Sequence, residues 1–135
     1  MKKQSIVIGL LMGVLIWGNA QESKKISTID FVQIIGNNKD EVLYYYQNNW
    51  KVLRETAITK NYIRSFDVLE TAFSDDAPFQ LILITTYKDE AQFKLRDEHF
   101  KELIEAKGKL KLLNDKKPDE FRKIVFNKEE VLHWK

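Results

Sequence analysis

The feature that most constrains the fold is a strand-like run, residues 79–87 (FQLILITTY), that is apolar on both sides. Side chains alternate along a strand, so Leu81 and Leu83 lie on one face while Ile82 and Ile84 lie on the other. A strand that is apolar on both faces must be covered on both faces. An acidic turn and an amphipathic helical pattern follow this run, so we expect a helix of the same chain to cover one face.

The remaining segments fit around this strand in the order β-α-β-β-α-β. Turn residues separate predicted strands at residues 26–35, 61–73, 79–87 and 121–126 and predicted helices at residues 39–60 and 88–107. With right-handed crossovers, this order gives an α+β protein of the ferredoxin-like arrangement, a four-stranded antiparallel sheet with two helices on one face. The other sheet face then needs a partner, and the simplest partner is a second copy, which predicts a homodimer joined through the sheet face.

Residues 1–20 have the pattern of a cleavable signal peptide. Two lysines precede an apolar run at residues 6–17, and small residues precede the predicted cleavage after Ala20. We therefore expect a periplasmic or secreted protein, free of the membrane after cleavage, with a domain at residues 26–127 and a tail at residues 128–135. An uncleaved membrane anchor is the competing interpretation, although the apolar run is short for a membrane span.

Composition excludes several classes of function. The chain has no cysteine, which excludes disulfides and thiolate metal sites. Of its 22 basic residues, two lysines leave with the predicted signal peptide and no acid does, so the 20 acidic residues balance the basic residues that remain. A neutral mature chain does not favour nucleic-acid binding. The two histidines, His99 and His133, lack the spacing of a metal site, so we expect no metal.

Two runs, YYYQNNWKVLRETAITKNYIRSFDVLET and FQLILITTYKDEAQFKLRDEHFKEL, resemble the dimeric α/β-barrel superfamily. The similarity consists of a long first helix with a tryptophan, a Tyr-Ile strand start, an Ile-Thr-x-Tyr strand end and an Ala-x-Phe helix. Within the superfamily, the chain looks like small exported proteins of Bacteroidetes-type bacteria with no assigned activity. More distantly, it resembles antibiotic-biosynthesis-type monooxygenases and haem-degrading enzymes. The resemblance implies a homodimer whose two sheets form a barrel.

In those enzymes a histidine typically follows the helix phenylalanine by about one turn. This chain has Arg96 three residues after Phe93, and His99 lies a further turn along. The departure from the pattern argues against haem ligation and against cofactor-free oxygenation.

Three residues near the end of the third strand, Tyr87, Arg96 and His99, form the candidate chemical cluster. Arg96 lies on the buried stripe of the second helix, where a guanidinium could bind a carboxylate or phosphate through two hydrogen bonds. Alternatively, its head reaches solvent or pairs with an acid such as Glu90 or Glu70. His99 as a haem or metal ligand would need further ligands, and a single histidine is more often a surface residue.

Three further residues are candidates for a pocket between helices and sheet. Trp50 and Tyr62 would give a ligand flat apolar walls, although rings at such positions are more often part of the core. Asn49 must find hydrogen bonds if it is buried, either from a ligand or from a neighbouring backbone.

These observations favour an exported dimeric α/β-barrel protein that binds a small apolar or anionic molecule between helices and sheet, without a cofactor. One alternative is a monooxygenase-like or haem-interacting enzyme that uses Tyr87, Arg96, His99 and Trp50. A second is a non-catalytic structural dimer. The chain has no Gly-rich phosphate loop, nucleophile elbow or paired-histidine helix. A Ser-His-Asp triad from distant residues stays open.

Overall fold

The chain forms four strands and five short helices, in a computed structural model that describes residues 24–135. The predicted signal peptide lies outside the described residues. The elements are β1 (Ile26–Ile34), α1 (Lys39–Tyr45), a π-helical turn (Tyr46–Trp50), α2 (Lys51–Thr59), β2 (Ser65–Glu70), β3 (Leu81–Tyr87), α3 (Glu90–Lys94), α4 (Arg96–Lys107), α5 (Pro118–Phe121) and β4 (Arg122–Leu132). No helix within this part of the chain has the length and apolar character to cross a membrane.

The four strands form one antiparallel sheet in the order β2-β3-β1-β4, with the helices packed on one side. The predicted ferredoxin-like α+β arrangement is therefore confirmed. β1 and β3 are the central strands, and their register runs from Ile26 opposite Tyr87 to Val32 opposite Leu81. The pairing of β1 with the edge strand β4 has two irregularities, which displace the register of β4 along its length.

The core lies between the helices and the sheet face formed by the even-numbered residues of β1. Val32 and Ile34 pack there against Val42 of α1 and Tyr46 of the π-helical turn, together with Phe121. A second cluster lies toward the other end of the sheet and contains Ile26, Ala57, Ile63, Tyr87, Phe93 and Leu103. The first predicted helix faces this core with Val42, Tyr46 and Ala57, which are all buried.

The opposite sheet face, here called the open face, is apolar and carries no helix. Because β-strand side chains alternate, the register places on it Ile29, Phe31, Leu69, Ile82, Ile84 and Phe126. The Phe31 ring packs edge-on against Phe79 at 4.9 Å and against Phe126 at 6.0 Å between ring centroids. The predicted apolar character of both sides of the third strand is thus confirmed.

Two strands differ from their predicted lengths. The second strand, predicted at residues 61–73, is only Ser65–Glu70, because Asn61 adopts a left-handed conformation with φ 58° and a turn follows at Ser74. The last strand, predicted at residues 121–126, instead continues to Leu132. Its charged end, residues 128–132, forms an edge strand, where charged side chains stay in contact with water.

The helices also depart from the simple periodic pattern. The first predicted helix contains the π-helical turn, and the second is divided at Leu95. At that division the Arg96 side chain donates a hydrogen bond to the Phe93 carbonyl oxygen at 3.1 Å. Asn38 precedes α1 but makes no capping hydrogen bond to it, because its side-chain amide donates to the Ile35 carbonyl oxygen. Gly108 ends the second helix, as the sequence predicts.

Candidate functional site

A polar cavity of about 220 Å³ lies between the sheet and the helices. Residues of the central strands β1 and β3 line the cavity on the side of the sheet, and residues of α2 and α4 line it on the side of the helices. Residues of the edge strand β4 also line it. Its lining residues are Thr28, Asp30, Arg54, Tyr87, Arg96, Asp97, Phe100, Asn127, Lys128 and Glu129. Two predicted residues, Tyr87 and Arg96, are therefore brought together here, and two residues that the sequence did not single out, Arg54 and Asp30, join them.

Arg54 on α2 places a positive charge over the cavity. Its guanidinium carbon lies 4.2 Å from the ring centroid of Trp50 and 4.4 Å from that of Phe100, so two aromatic rings contact it. Its Nε donates to the Thr85 hydroxyl at 3.2 Å. Burial lowers the pKa of Arg54 to about 10, which leaves the group cationic at neutral pH. Within residues 24–135 every salt bridge involves another cation, so Arg54 has no ion-pair partner there.

Asp30 on β1 faces the same cavity with a half-buried carboxyl group. Burial raises the pKa of Asp30, although the positive charges of Arg54 and Arg122 oppose the shift. In the described part of the chain, this carboxyl group takes part in no salt bridge. The sequence held a signal for this residue, because strand alternation puts Asp30 on the same face as the core residues Val32 and Ile34.

Tyr87 ends β3 and is buried at the edge of the cavity. Its ring packs edge-on against Phe93, with 5.6 Å between the centroids. Burial raises the pKa of Tyr87, and the nearby guanidinium groups of Arg54 and Arg96 oppose this shift. The phenol therefore stays protonated at neutral pH and can donate a hydrogen bond.

Arg96 lines the cavity but has an acidic partner. Its guanidinium lies 4.0 Å from the Phe93 ring centroid and pairs with the Glu129 carboxylate at 3.3 Å. The partner is Glu129 rather than Glu90 or Glu70, which bind lysines instead. Glu129 could not be predicted as the partner of Arg96, because it belongs to the part of β4 that was predicted to be a C-terminal tail.

His99 does not line the cavity with Tyr87 and Arg96, although it lies one turn after Arg96 on α4. Its ring stacks on Tyr62, with centroids 3.6 Å apart and planes 7° from parallel. The Tyr62 hydroxyl donates to Glu102 at 2.8 Å, and Lys60 pairs with the same carboxylate at 2.7 Å. Neither His99 nor Tyr62 lines the cavity.

Trp50 contributes to the site through its contact with Arg54, although it does not line the cavity itself. Its ring supports the Arg54 guanidinium and packs edge-on against Phe66, with 5.7 Å between centroids. Arg54 follows Trp50 by four residues, the spacing that places side chains on one helix face, and this was the available sequence signal.

Asn49 forms hydrogen bonds with neighbouring residues and does not line the cavity. Of the two alternatives, a ligand or a neighbouring backbone, it is therefore the backbone that supplies partners in this structure. Its amide nitrogen donates to the carbonyl oxygens of Tyr45 at 2.9 Å and Lys111 at 2.7 Å. Its oxygen accepts from the Lys107 ammonium at 2.7 Å and from the Lys111 backbone at 2.8 Å. These bonds use both donors and both lone pairs of the amide, so Asn49 joins the π-helical turn to the loop after α4.

One serine–histidine pair is present at a corner of the open face. The Ser27 hydroxyl lies 2.7 Å from His133 Nε2 and 2.8 Å from the Thr86 hydroxyl. Ser27 is only 2% exposed, so a substrate has no access to its oxygen. The pair fastens the C-terminal tail to the sheet.

The described residues do not bring three or more His, Asp or Glu side chains together in a metal-binding arrangement. Fold and cavity together define an α+β protein of ferredoxin-like architecture. The crystal structure of HapK from Hahella chejuensis is similar, with a TM-score of 0.50 and 14% sequence identity over 82% of this chain and 91% of that chain. At this identity the likeness shows the fold alone. No protein-family model and no curated protein matches the chain.

Proposed function

We propose that this protein is an exported homodimer of the dimeric α/β-barrel type that binds a small anionic molecule in the cavity between helices and sheet. The observation that carries the proposal is the Arg54 guanidinium, which contacts two aromatic rings and forms no salt bridge among the described residues. Asp30 interacts with the charge of Arg54 from beyond salt-bridge distance, so this partly desolvated cation is only partly compensated. A bound carboxylate or similar anion would relieve the remaining cost through charge-assisted hydrogen bonds.

The cavity volume limits the ligand to a small molecule. Pockets that enclose drug-sized ligands measure about 300–1,000 Å³. The present cavity, at about 220 Å³, is smaller. The cavity also has no imidazole in its lining, so the binding of a small anion explains its composition better than histidine-dependent oxygenation.

Anion binding can be tested with sodium propionate against sodium chloride at equal ionic strength. Propionate should raise the melting temperature of the wild-type protein and of Arg64→Gln, which removes an exposed arginine of the same charge. Arg54→Gln should bind propionate at least tenfold more weakly, and Arg54→Lys should lie between the two. Equal propionate binding by wild type and Arg54→Gln would refute the proposed site. Circular dichroism would verify that each variant is folded.

The open face supports the dimer part of the proposal. It presents a contiguous group of apolar side chains, including the contacting rings of Phe31, Phe79 and Phe126, and Leu69 and Phe126 are each about half exposed. Large exposed apolar patches mark interaction surfaces in soluble proteins. A second copy would cover this face with an identical apolar surface around a two-fold axis.

Light scattering at micromolar concentration tests the dimer. The wild-type protein should have twice the mass of one chain. Phe31→Glu would place a charge in the middle of the open face and should give a monomer. Leu113→Glu adds the same charge at an exposed leucine in the loop after α4, away from the open face, and should remain dimeric. A monomeric wild-type protein would contradict the proposal.

A further inference from the structure

The cavity contains a cation and an anion that do not pair with each other. Arg54 and Asp30 both line it, yet no salt bridge joins them. We infer that the ligand is a small carboxylate with a hydrogen-bond donor on the neighbouring carbon, an α-amino or α-hydroxy acid, whose carboxylate binds Arg54 and whose donor binds Asp30. This inference rests on the proposed function and narrows its ligand.

The contacts of Arg54 leave one part of its guanidinium available. The rings of Trp50 and Phe100 contact the guanidinium, and its Nε donates to the Thr85 hydroxyl. No described residue accepts a hydrogen bond from the two terminal nitrogens. These nitrogens form the parallel pair of donors that matches the two oxygens of a carboxylate.

Asp30 supplies the complementary acceptor. It lies on the central strand β1, opposite Leu83 of β3 and Asn127 of β4, and its carboxyl group has no donor partner among residues 24–135. A half-buried carboxylate without a donor is unfavourable. An ammonium or hydroxyl group of the ligand would satisfy it. Arg122 and Glu129 are the other charged groups close enough to influence Asp30.

The charge of the lining argues against a highly charged anion. The three cations of the cavity are Arg54, Arg96 and Lys128, and its three acids are Asp30, Asp97 and Glu129. The salt bridge between Arg96 and Glu129 already neutralises one of the cations and one of the acids. A cavity with balanced charge suits a zwitterion or a hydroxy acid better than phosphate or sulfate, which would meet the acids as well as the bases.

L-Alanine, L-lactate and propionate form a matched test set, because they share a carbon skeleton and differ in one substituent. Titration of each into the purified protein can be followed by NMR at the Arg54 Nε–Hε and Trp50 indole signals. Alanine, lactate or both should bind about tenfold more tightly than propionate, the effect of one hydrogen bond to a charged group. Inorganic phosphate should bind more weakly than each of the three acids for which binding is detected.

Asp30→Asn should reduce the preference over propionate to less than threefold while propionate binding persists. The acid that loses its preference over propionate in Asp30→Asn identifies the donor, because alanine would point to its ammonium group and lactate to its hydroxyl group. Asp75→Asn, at an exposed turn residue, is the control with the same change of charge and should keep the preference.

The outcomes separate the two proposals. If propionate binds as tightly as alanine and lactate, or if Asp30→Asn keeps the preference, the inference fails and anion binding at Arg54 stands. If none of the three acids binds, the proposed function fails together with the inference.

Discussion

Replacement of Asn49 by alanine should destabilise the protein although the residue does not line the cavity. The side chain is buried and makes two hydrogen bonds to the Lys111 backbone, one to its carbonyl oxygen and one from its N–H. Each such bond contributes about 0.5–1.5 kcal/mol, so their loss should lower the free energy of unfolding by about 2 kcal/mol. For a domain of this size, that change should lower the melting temperature by roughly 8 °C.

The neighbouring residue provides a matched control. Asn48→Ala removes an identical side chain whose only hydrogen bond goes to the Tyr44 carbonyl one turn earlier. That bond holds no other segment in place, so the free energy of unfolding should change by no more than about 0.5 kcal/mol. Any gain in helix propensity is common to both variants.

Urea unfolding followed by circular dichroism measures both variants at one protein concentration, since association would otherwise alter the apparent stability. The slope of the free energy against urea should be the same for the wild type and the variants. If the two variants have equal stability, the reasoning that Asn49 fastens the loop after α4 to the helix is wrong.

Two further predictions concern the backbone and the cavity. Burial raises the pKa of Asp30 above its ordinary value of 3.8, so folding disfavours the charged carboxylate. The stability of wild type relative to Asp30→Asn should therefore fall as the pH rises from about 3 to about 7. Urea midpoints that show no such fall would contradict this prediction. Gly108 has φ 79° and ψ −138°, a region nearly restricted to glycine, while an added Cβ would meet no atom within 4 Å. Gly108→Ala should therefore cost about 1–3 kcal/mol through backbone strain alone, measured by the same urea assay, and an unchanged midpoint would refute the strain.

The fold could be predicted because its determinants are local. Strand β3 is apolar on both sides, and this alone indicated one covered face and one apolar open face. The end of α4 at Gly108 is likewise a property of one residue. The length of β4 was not predictable in the same way, since Lys128 and Glu129 have the composition of a tail and become a strand only by pairing with β1.

The site could be predicted only in part, because it depends on contacts between distant segments. Tyr87 and Arg96 were correctly assigned to one place, since both lie near the junction of β3 with the helix that follows. Arg54 was missed because its role requires a ring from the π-helical turn and another from α4 to contact the same guanidinium. The four-residue spacing of Trp50 and Arg54 indicates the first contact, but no spacing within one helix indicates the contact with Phe100. Asp30 was readable in principle from strand alternation alone.

The π-helical turn at Tyr46–Trp50 has a consequence for related chains. A bond from i to i+5 encloses one residue more than an α-helical bond, so this segment is equivalent to an α-helix that contains one added residue. Deletion of one residue from the turn would restore a regular α-helix and leave the parts on either side in nearly the same relative orientation. Deletion of one residue from α2 would instead rotate the parts on either side by about 100°, because α2 has no wide turn to absorb the change. A single-residue gap at Tyr46–Trp50 in an alignment would therefore be compatible with both the core position of Tyr46 and the position of Arg54 over the cavity.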